Sequence, residues 1–136
     1  PEGKVYAVEI QKDLLETIKH AAEAKHLGEN VKLIWGDAEQ QGGVGLADGL
    51  ADVVIISNVL FQAKSMYTLA LEAKRILKLG GRIMVIDWSE SFGGIGPRPE
   101  DVISVEEVKK TFGSAGLAFS SEFPAGEHHY GLIFSK

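Results

Sequence analysis

The sequence predicts an α/β domain in which a mostly parallel sheet carries helices on both faces and ends in an antiparallel hairpin. Three observations carry this. Strand-like and helix-like apolar patterns alternate along nearly the whole chain. Asp52-Val53-Val54-Ile55-Ile56-Ser57 is a continuous β-branched run, the mark of a parallel strand buried on both faces. Near the C-terminus, residues 117–123 and 129–135 read as two strands joined by Pro124-Ala125-Gly126-Glu127, a hairpin signal.

Val5-Tyr6-Ala7-Val8-Glu9 opens the chain as a short strand. Leu14, Leu15, Ile18, Ala21, Ala22 and Leu27 then recur at helical spacing, with Gly28 as the expected stop. Val31-Lys32-Leu33-Ile34-Trp35 is a second strand, ended by Gly36-Asp37. Residues 39–50, rich in Gly, Gln and Asp, read as a loop. After the central run, Met66, Leu69, Ala70, Ala73, Ile76 and Leu77 form one helical stripe, stopped by Gly80-Gly81. Arg82 to Asp87 is the next buried strand, and Gly93, Gly94, Gly96, Pro97 and Pro99 make a flexible loop after it. Ser104 with Glu107 forms a capping box. It opens a helix that buries Val105, Val108 and Phe112 and fades between Gly113 and Gly116. No internal repeat and no linker interrupts this order, so residues 1–136 are expected to form one domain.

Composition narrows the function. The chain has 136 residues, 45% apolar and 24% charged, which suits one soluble core but is short for a complete nucleotide-binding fold. Its formal charge is −5 with no basic block, so the electrostatic footprint of nucleic-acid binding is missing. Without cysteine there is no disulfide, thiolate nucleophile or cysteine-ligated metal. No run of about 18 apolar residues marks a membrane span. Pro1-Glu2-Gly3-Lys4 does not read as a signal peptide, so a cytoplasmic location is expected.

In open parallel sheets, ligands bind beyond the carboxyl ends of the strands. That rule selects Glu9, Asp37, Ser57, Asn58, Asp87 and Trp88. The first strand of the hairpin should run parallel to the others, which brings Glu127, His128, His129 and Tyr130 to the same rim. Glu9 has two readings: a solvated strand end, or an acceptor for ribose hydroxyls. Asp37 is either a turn aspartate bonding its own backbone or an acceptor for an exocyclic amine such as that of adenine. His128 and His129 are adjacent and point to opposite faces of a regular strand, so they cannot share one metal, and no metal site is expected. One of them facing the cleft would serve as a substrate contact or a general base. Ser57, Ser89 and Ser91, with Asp87 and His128, provide hydrolase ingredients. No Gly-x-Ser-x-Gly elbow accompanies them.

With these residues in place, the sequence resembles the class I S-adenosylmethionine-dependent methyltransferases, a Rossmann-like family, and among them the ubiquinone/menaquinone-biosynthesis-like group. Val5 to Glu9 looks like the strand after that family's glycine loop. Gly36-Asp37-Ala38-Glu39 is similar to its adenine-contacting motif, and Asp52 to Leu60 to its central strand and cofactor-facing tip. Glu72 to Ile83 resembles its helix, glycine turn and following strand. The resemblance implies S-adenosylmethionine as cofactor. It would place Glu9 and the adjoining Ile10 at the ribose, Asp37 and Ala38 at the adenine, and Asn58 beside the methionine portion. A small-molecule substrate would enter over Trp88 and residues 89–99, with His128 and His129 nearby.

Family members begin with an acidic-tipped strand, a glycine-rich loop and a helix, which by this resemblance would precede Pro1. The first strand and first helix of the family fold are therefore expected to be absent, with Pro1-Glu2-Gly3-Lys4 as the turn leading out of them. The absent strand belongs between those ending at Glu9 and Asn58. Two apolar edges would then be left to close on each other or to take up another chain. A homo-oligomer, or a partner that completes the sheet, is expected. Three functions follow: a methyltransferase or a fragment or subunit of one, a non-catalytic oligomeric binding module, or a cleft repurposed for ester hydrolysis.

Overall fold

A computed structural model describes residues 2–136; Pro1, and with it part of the expected leading turn, lies outside them. The elements in order are β1 (Val5–Glu9), α1 (Lys12–Ala24), β2 (Val31–Trp35), β3 (Ala51–Ser57), α2 (Met66–Ile76), β4 (Leu77–Trp88), α3 (Val105–Ser114), β5 (Ala118–Pro124) and β6 (His129–Ser135). A short 3-10 turn, Leu60–Gln62, follows β3. The architecture is the Rossmann-like α/β arrangement that the sequence predicts.

The strands form two sheets. β1 and β2 pair in parallel, Val5 opposite Val31 and Glu9 opposite Trp35. The other four strands take the order β3-β4-β6-β5. β3 and β4 are parallel, and β6 lies antiparallel between β4 and β5. Consequently β5 runs in the direction of β3 and β4, as the rim assignment requires. Alternation along β4 sets the faces. Ile83, Val85 and Asp87 are buried on one side, while Met84, Ile86 and Trp88 are half-buried on the other.

The core lies between the four-stranded sheet and the pair α2–α3. Leu69, Ala70 and Ala73 of α2 and Val108 and Phe112 of α3 meet Ile83, Val85, Leu132 and Phe134 of the sheet. Phe112 and Phe134 have their ring centroids 4.8 Å apart, tilted, and neither is exposed. Burying a side chain of this size stabilises by about 1.5–3 kcal/mol. α1 packs on the β1–β2 pair through Leu15 and Ala22.

β1 and β3 do not pair. A cavity of about 770 Å³ separates them, with Tyr6, Ala7 and Val8 on one wall and Val54, Ile55 and Ile56 on the other. Val53 is 51% and Ile55 64% exposed, large values for a β-branched central run. The strands ending at Glu9 and Asn58 therefore stay apart and have not closed on each other. Residues 36–50 bridge the two sheets. The Glu39 carboxylate accepts from the Ser65 N–H at 2.7 Å, and buried Glu72 accepts from the N–H groups of Gly42 and Val44 at 2.9 and 3.2 Å.

Three local outcomes differ from the sequence reading. α1 stops before Gly28, because His26 takes the left-handed turn (φ 58°) and Leu27 N–H returns to Ala22 O at 2.8 Å. That pattern satisfies the last carbonyls as a glycine would. Leu77 leaves the helical stripe: it is already extended (ψ 135°) and starts β4. Gly81 makes this possible, since a Cβ there would lie 2.7 Å from Leu77 Cδ1. Finally, α2 has an N-cap that the stripe did not reveal, Ser65 Oγ accepting from Thr68 N–H at 3.2 Å. Ser104 does cap α3, through Glu107 N–H at 3.2 Å.

Among the described residues, no helix is long and apolar enough to cross a membrane.

Candidate functional site

The site is assembled where parallel strands end. Asn58, the residue after β3, has φ 55°, a left-handed conformation that Asn tolerates better than most residues. Four contacts hold this tip. Asn58 N–H donates to Ile86 O at 2.9 Å, and Asn58 O accepts from Gln62 Nε2 at 3.0 Å. Asn58 Oδ1 lies 3.0 Å from His129 Nε2. Two residues on, Leu60 N–H donates to Asp87 Oδ2 at 2.8 Å.

Asp87 is the hub beneath the rim. It is 1% exposed, and its second oxygen accepts from Trp88 N–H at 2.8 Å. Burial pushes its carboxyl above the ordinary range, opposed by the N–H groups of Trp88, Leu60 and Phe61 and by His129. One buried carboxylate thus fixes both the turn after Asn58 and the exit of β4. Behind it, burial raises the Tyr130 phenol, with the charges of Asp87 and Glu107 adding to the shift. The Tyr130 hydroxyl has no hydrogen-bond partner among the described residues.

The hairpin supplies the opposite wall. His129 pairs with Trp88 in the β4–β6 ladder, and their rings lie 4.2 Å apart, tilted. His128 Nδ1 meets Glu90 Oε1 at 2.8 Å, and its ring stacks on Phe92 at 3.8 Å. Ser89 N–H donates to His128 O at 2.9 Å. The two histidines therefore divide their work: His129 holds the β3 tip, and His128 holds the loop after β4. Among the described residues neither imidazole is hydrogen-bonded to a serine hydroxyl, since the rings engage Glu90 and Asn58, and Asp87 is spent on backbone donors, so the hydrolase ingredients do not assemble. No group of three or more His, Asp or Glu residues among those described is placed to hold a metal.

Across the slot, Glu9 ends β1 with Oε1 accepting from Gln11 N–H at 2.9 Å, and Oε2 has no hydrogen-bond donor among the described residues. Ile10 is 58% exposed, and its carbonyl accepts from Trp35 Nε1 at 2.9 Å. Asp37 realises the turn-aspartate geometry: Oδ1 accepts from Glu39 N–H at 2.9 Å and Oδ2 from Gln40 Nε2 at 3.0 Å. Ala38 lines the slot. The structure thus brings Asn58, Trp88, His128 and His129 into one cluster. Glu9, Ile10 and Asp37 stand at the ends of the β1–β2 pair and bond Gln11, Trp35, Glu39 and Gln40 among the described residues, not that cluster.

Sequence reading placed Asp87 at the rim but not its role. An acid ending a buried β-branched run was the available signal, since such a charge needs donors. The Glu72–Arg75 pair was missed. Arg75 binds Glu72 through two nitrogens at 2.8 and 2.7 Å and reaches Leu46 O and Asp48. Its trace in the sequence is an acid and a base three positions apart on an apolar stripe.

The family model for a methyltransferase domain matches residues 2–85, more than half of the chain. Among proteins with curated descriptions, none matches. Several solved structures share the fold. The S-adenosylmethionine-dependent methyltransferase from Aquifex aeolicus is 23% identical with a TM-score of 0.85, over 98% of this chain and 69% of that one. The PH0226 protein from Pyrococcus horikoshii is 16% identical with a TM-score of 0.79, over 97% of this chain and 73% of that one. The [4+2]-cyclase SpnF is 16% identical with a TM-score of 0.75, over 89% of this chain and 46% of that one. At these identities the likeness speaks for the fold, and the cyclase is a reminder that one fold hosts different chemistry.

Proposed function

The chain belongs to the methyltransferase-domain family, and from that premise we propose that it is a cytoplasmic S-adenosylmethionine-dependent methyltransferase, or a fragment or subunit of one, acting on a small molecule. The observation that carries this reading is the Asn58–His129 contact of 3.0 Å. It joins the strand tip assigned to the cofactor to the Trp88–His129 wall assigned to the substrate, with His128 steadying the loop beside it.

The residues present fit the nucleoside half of the cofactor. Ribose hydroxyls and an adenine amine are donors, and Glu9 Oε2 and the Asp37 carboxylate are acceptors at adjacent strand ends. The exposed bond from Gln40 to Asp37 is replaceable by a ligand donor at little cost. Ile10 and Ala38 supply apolar surface beside them. For the amino-acid half, Asn58 is the assigned contact. A carboxylate needs N–H groups or a cation; the Asn58 amide offers one such donor, and the others would come from whatever occupies the slot. When bound, the cofactor supplies an electrophilic sulfonium methyl. The protein's own task is to position the acceptor and exclude water, which suffices for large rate effects.

The slot also supports an assembly. Two apolar strand edges face each other without pairing, an arrangement that invites strand addition from a second copy or a partner. A chain kept only for that assembly would be the non-catalytic module.

Calorimetry with S-adenosylhomocysteine, paired with sedimentation analysis, tests both points. One site weakened by Glu9→Ala and Asp37→Ala supports the transferase, and affinity appearing only with an added partner chain supports the module. Absence of binding in every assembly state would end the cofactor reading. A monodisperse monomer with a continuous sheet would end the assembly one.

A further inference from the structure

Two non-glycine residues among those described have positive φ, His26 and Asn58. The first is explained by its place, since it ends α1 and lets Leu27 N–H close on Ala22 O. Asn58 ends no helix. It follows a strand, and a short extended connection to the 3-10 turn at Leu60–Gln62 would not by itself demand a left-handed residue. A sparsely populated conformation persists only where its surroundings over-determine it, and such residues gather at functional sites. The surroundings are on the page. Asn58 is gripped through its N–H by β4, through its carbonyl by Gln62, and through its side chain by His129, 71 positions away.

The first two grips act on the backbone and come from neighbouring elements. The third aims the side chain. Because Asn58 Oδ1 accepts, His129 Nε2 carries the hydrogen, and both the neutral Nε2–H form and the imidazolium satisfy this. The imidazole is held in turn by its ladder position opposite Trp88 and by the ring contact at 4.2 Å. The charged groups around this pair are Asp87 on β4 and, on the neighbouring loop, Glu90, which is occupied by His128.

We propose that His129 is a positioning residue: it aims the Asn58 side chain at the cleft, so that the hairpin sets the geometry of the cofactor-side strand tip. In this arrangement the amide nitrogen of Asn58 is left to face the ligand while its oxygen is held from behind. The ligand class is one presenting an acceptor to that nitrogen, such as the carboxylate of an amino-acid-bearing nucleoside. This rests on the transferase reading for the identity of the ligand, but the aiming itself does not.

The test compares His129→Gln, which keeps a side-chain N–H donor, with His129→Leu, which keeps bulk and loses the donor. Two readouts are taken on the intact chain. The first is the ¹⁵N spectrum of the Asn58 side-chain amide. It should move or broaden in His129→Leu and stay near its original position in His129→Gln, with the thermal midpoint little changed in both. The second is S-adenosylhomocysteine affinity, expected to fall about fivefold in His129→Leu, the scale of one net hydrogen bond, and to recover in His129→Gln. An Asn58 amide signal unchanged in His129→Leu would overturn the proposal. So would equal loss in both variants, which is what a merely structural histidine gives. If the parent chain binds no S-adenosylhomocysteine, the transferase reading fails by itself and the amide spectrum still decides the aiming.

Discussion

Asn58 Oδ1 and His129 Nε2 lie 3.0 Å apart, so a residue in the left-handed region at the end of β3 is tied to the first residue of the last strand. The backbone at Asn58 suits glycine at least as well as asparagine, whereas a left-handed residue with an ordinary Cβ costs roughly 1–2 kcal/mol. Asn58→Ala should therefore lower the unfolding free energy by about 1–2 kcal/mol in a urea titration. Asn58→Gly should lie within about 0.5 kcal/mol of the parent, relief at φ offsetting the lost side-chain bond. Equal losses in the two variants would refute the backbone account.

Much of this fold was legible in the sequence, because periodicity reports burial. The stripe from Met66 to Ile76 and the hairpin carry their face in their spacing, whereas the Asp52–Ser57 run reads correctly as a strand but not as one buried on both faces, since Val53 is 51% and Ile55 64% exposed. What was not legible depends on distance along the chain. Nothing local says that His129 will meet Asn58, or that β6 will insert beside β4 with Trp88 opposite His129. Glu72 was illegible for another reason. A carboxylate that is 1% exposed looks, in sequence, like the polar flank of an amphipathic helix. Asp37 illustrates a third limit: one residue type serves a turn and a ligand with the same oxygens, and the turn is what the structure displays.

The Glu72–Arg75 pair should make the bridging loop acid-sensitive. The Arg75 guanidinium, with the N–H groups of Gly42 and Val44, overcomes burial and holds the Glu72 carboxyl down to about 2, from an ordinary value of 4.5. A carboxyl whose folded value is depressed stabilises in full above its unfolded value, and that contribution is lost as pH falls through the folded one. Stability should decline between about pH 4.5 and pH 2. Glu72→Gln should flatten this decline and cost about 3–5 kcal/mol near neutrality, because Arg75 keeps its charge without its main partner. Denaturant titrations at a series of pH values check both statements. A parent-like acid slope in Glu72→Gln would assign the acid sensitivity elsewhere.

Phe112 and Phe134 form the aromatic contact that docks α3 on the four-stranded sheet. Truncating either leaves a cavity in a close-packed core, so Phe112→Ala and Phe134→Ala should each cost about 3–5 kcal/mol. Their double-mutant cycle should return a coupling of about 0.5–1.5 kcal/mol from the ring pair itself. Strict additivity would mean that the rings are neighbours without a specific interaction.

Gly96 brings the loop after β4 down onto the Trp88 ring. Its φ is +79°, and a Cβ built there would stand 2.6 Å from the Trp88 ring. Alanine at this position meets two obstacles together, the left-handed backbone and the indole, and the loop must lift to admit it. The chain has two tryptophans, and Trp35 is already 63% exposed, so a Trp35→Phe background isolates the Trp88 signal. In that background Gly96→Ala should shift Trp88 emission to the red and raise its quenching by acrylamide. The Asn58–His129 contact, which the loop does not make, should persist. Global stability should fall by only about 1–2 kcal/mol, since the strain is confined to a surface loop. An unchanged Trp88 spectrum would show that the loop does not rest on the indole in solution, and would remove residues 89–99 as the cover of the proposed substrate side.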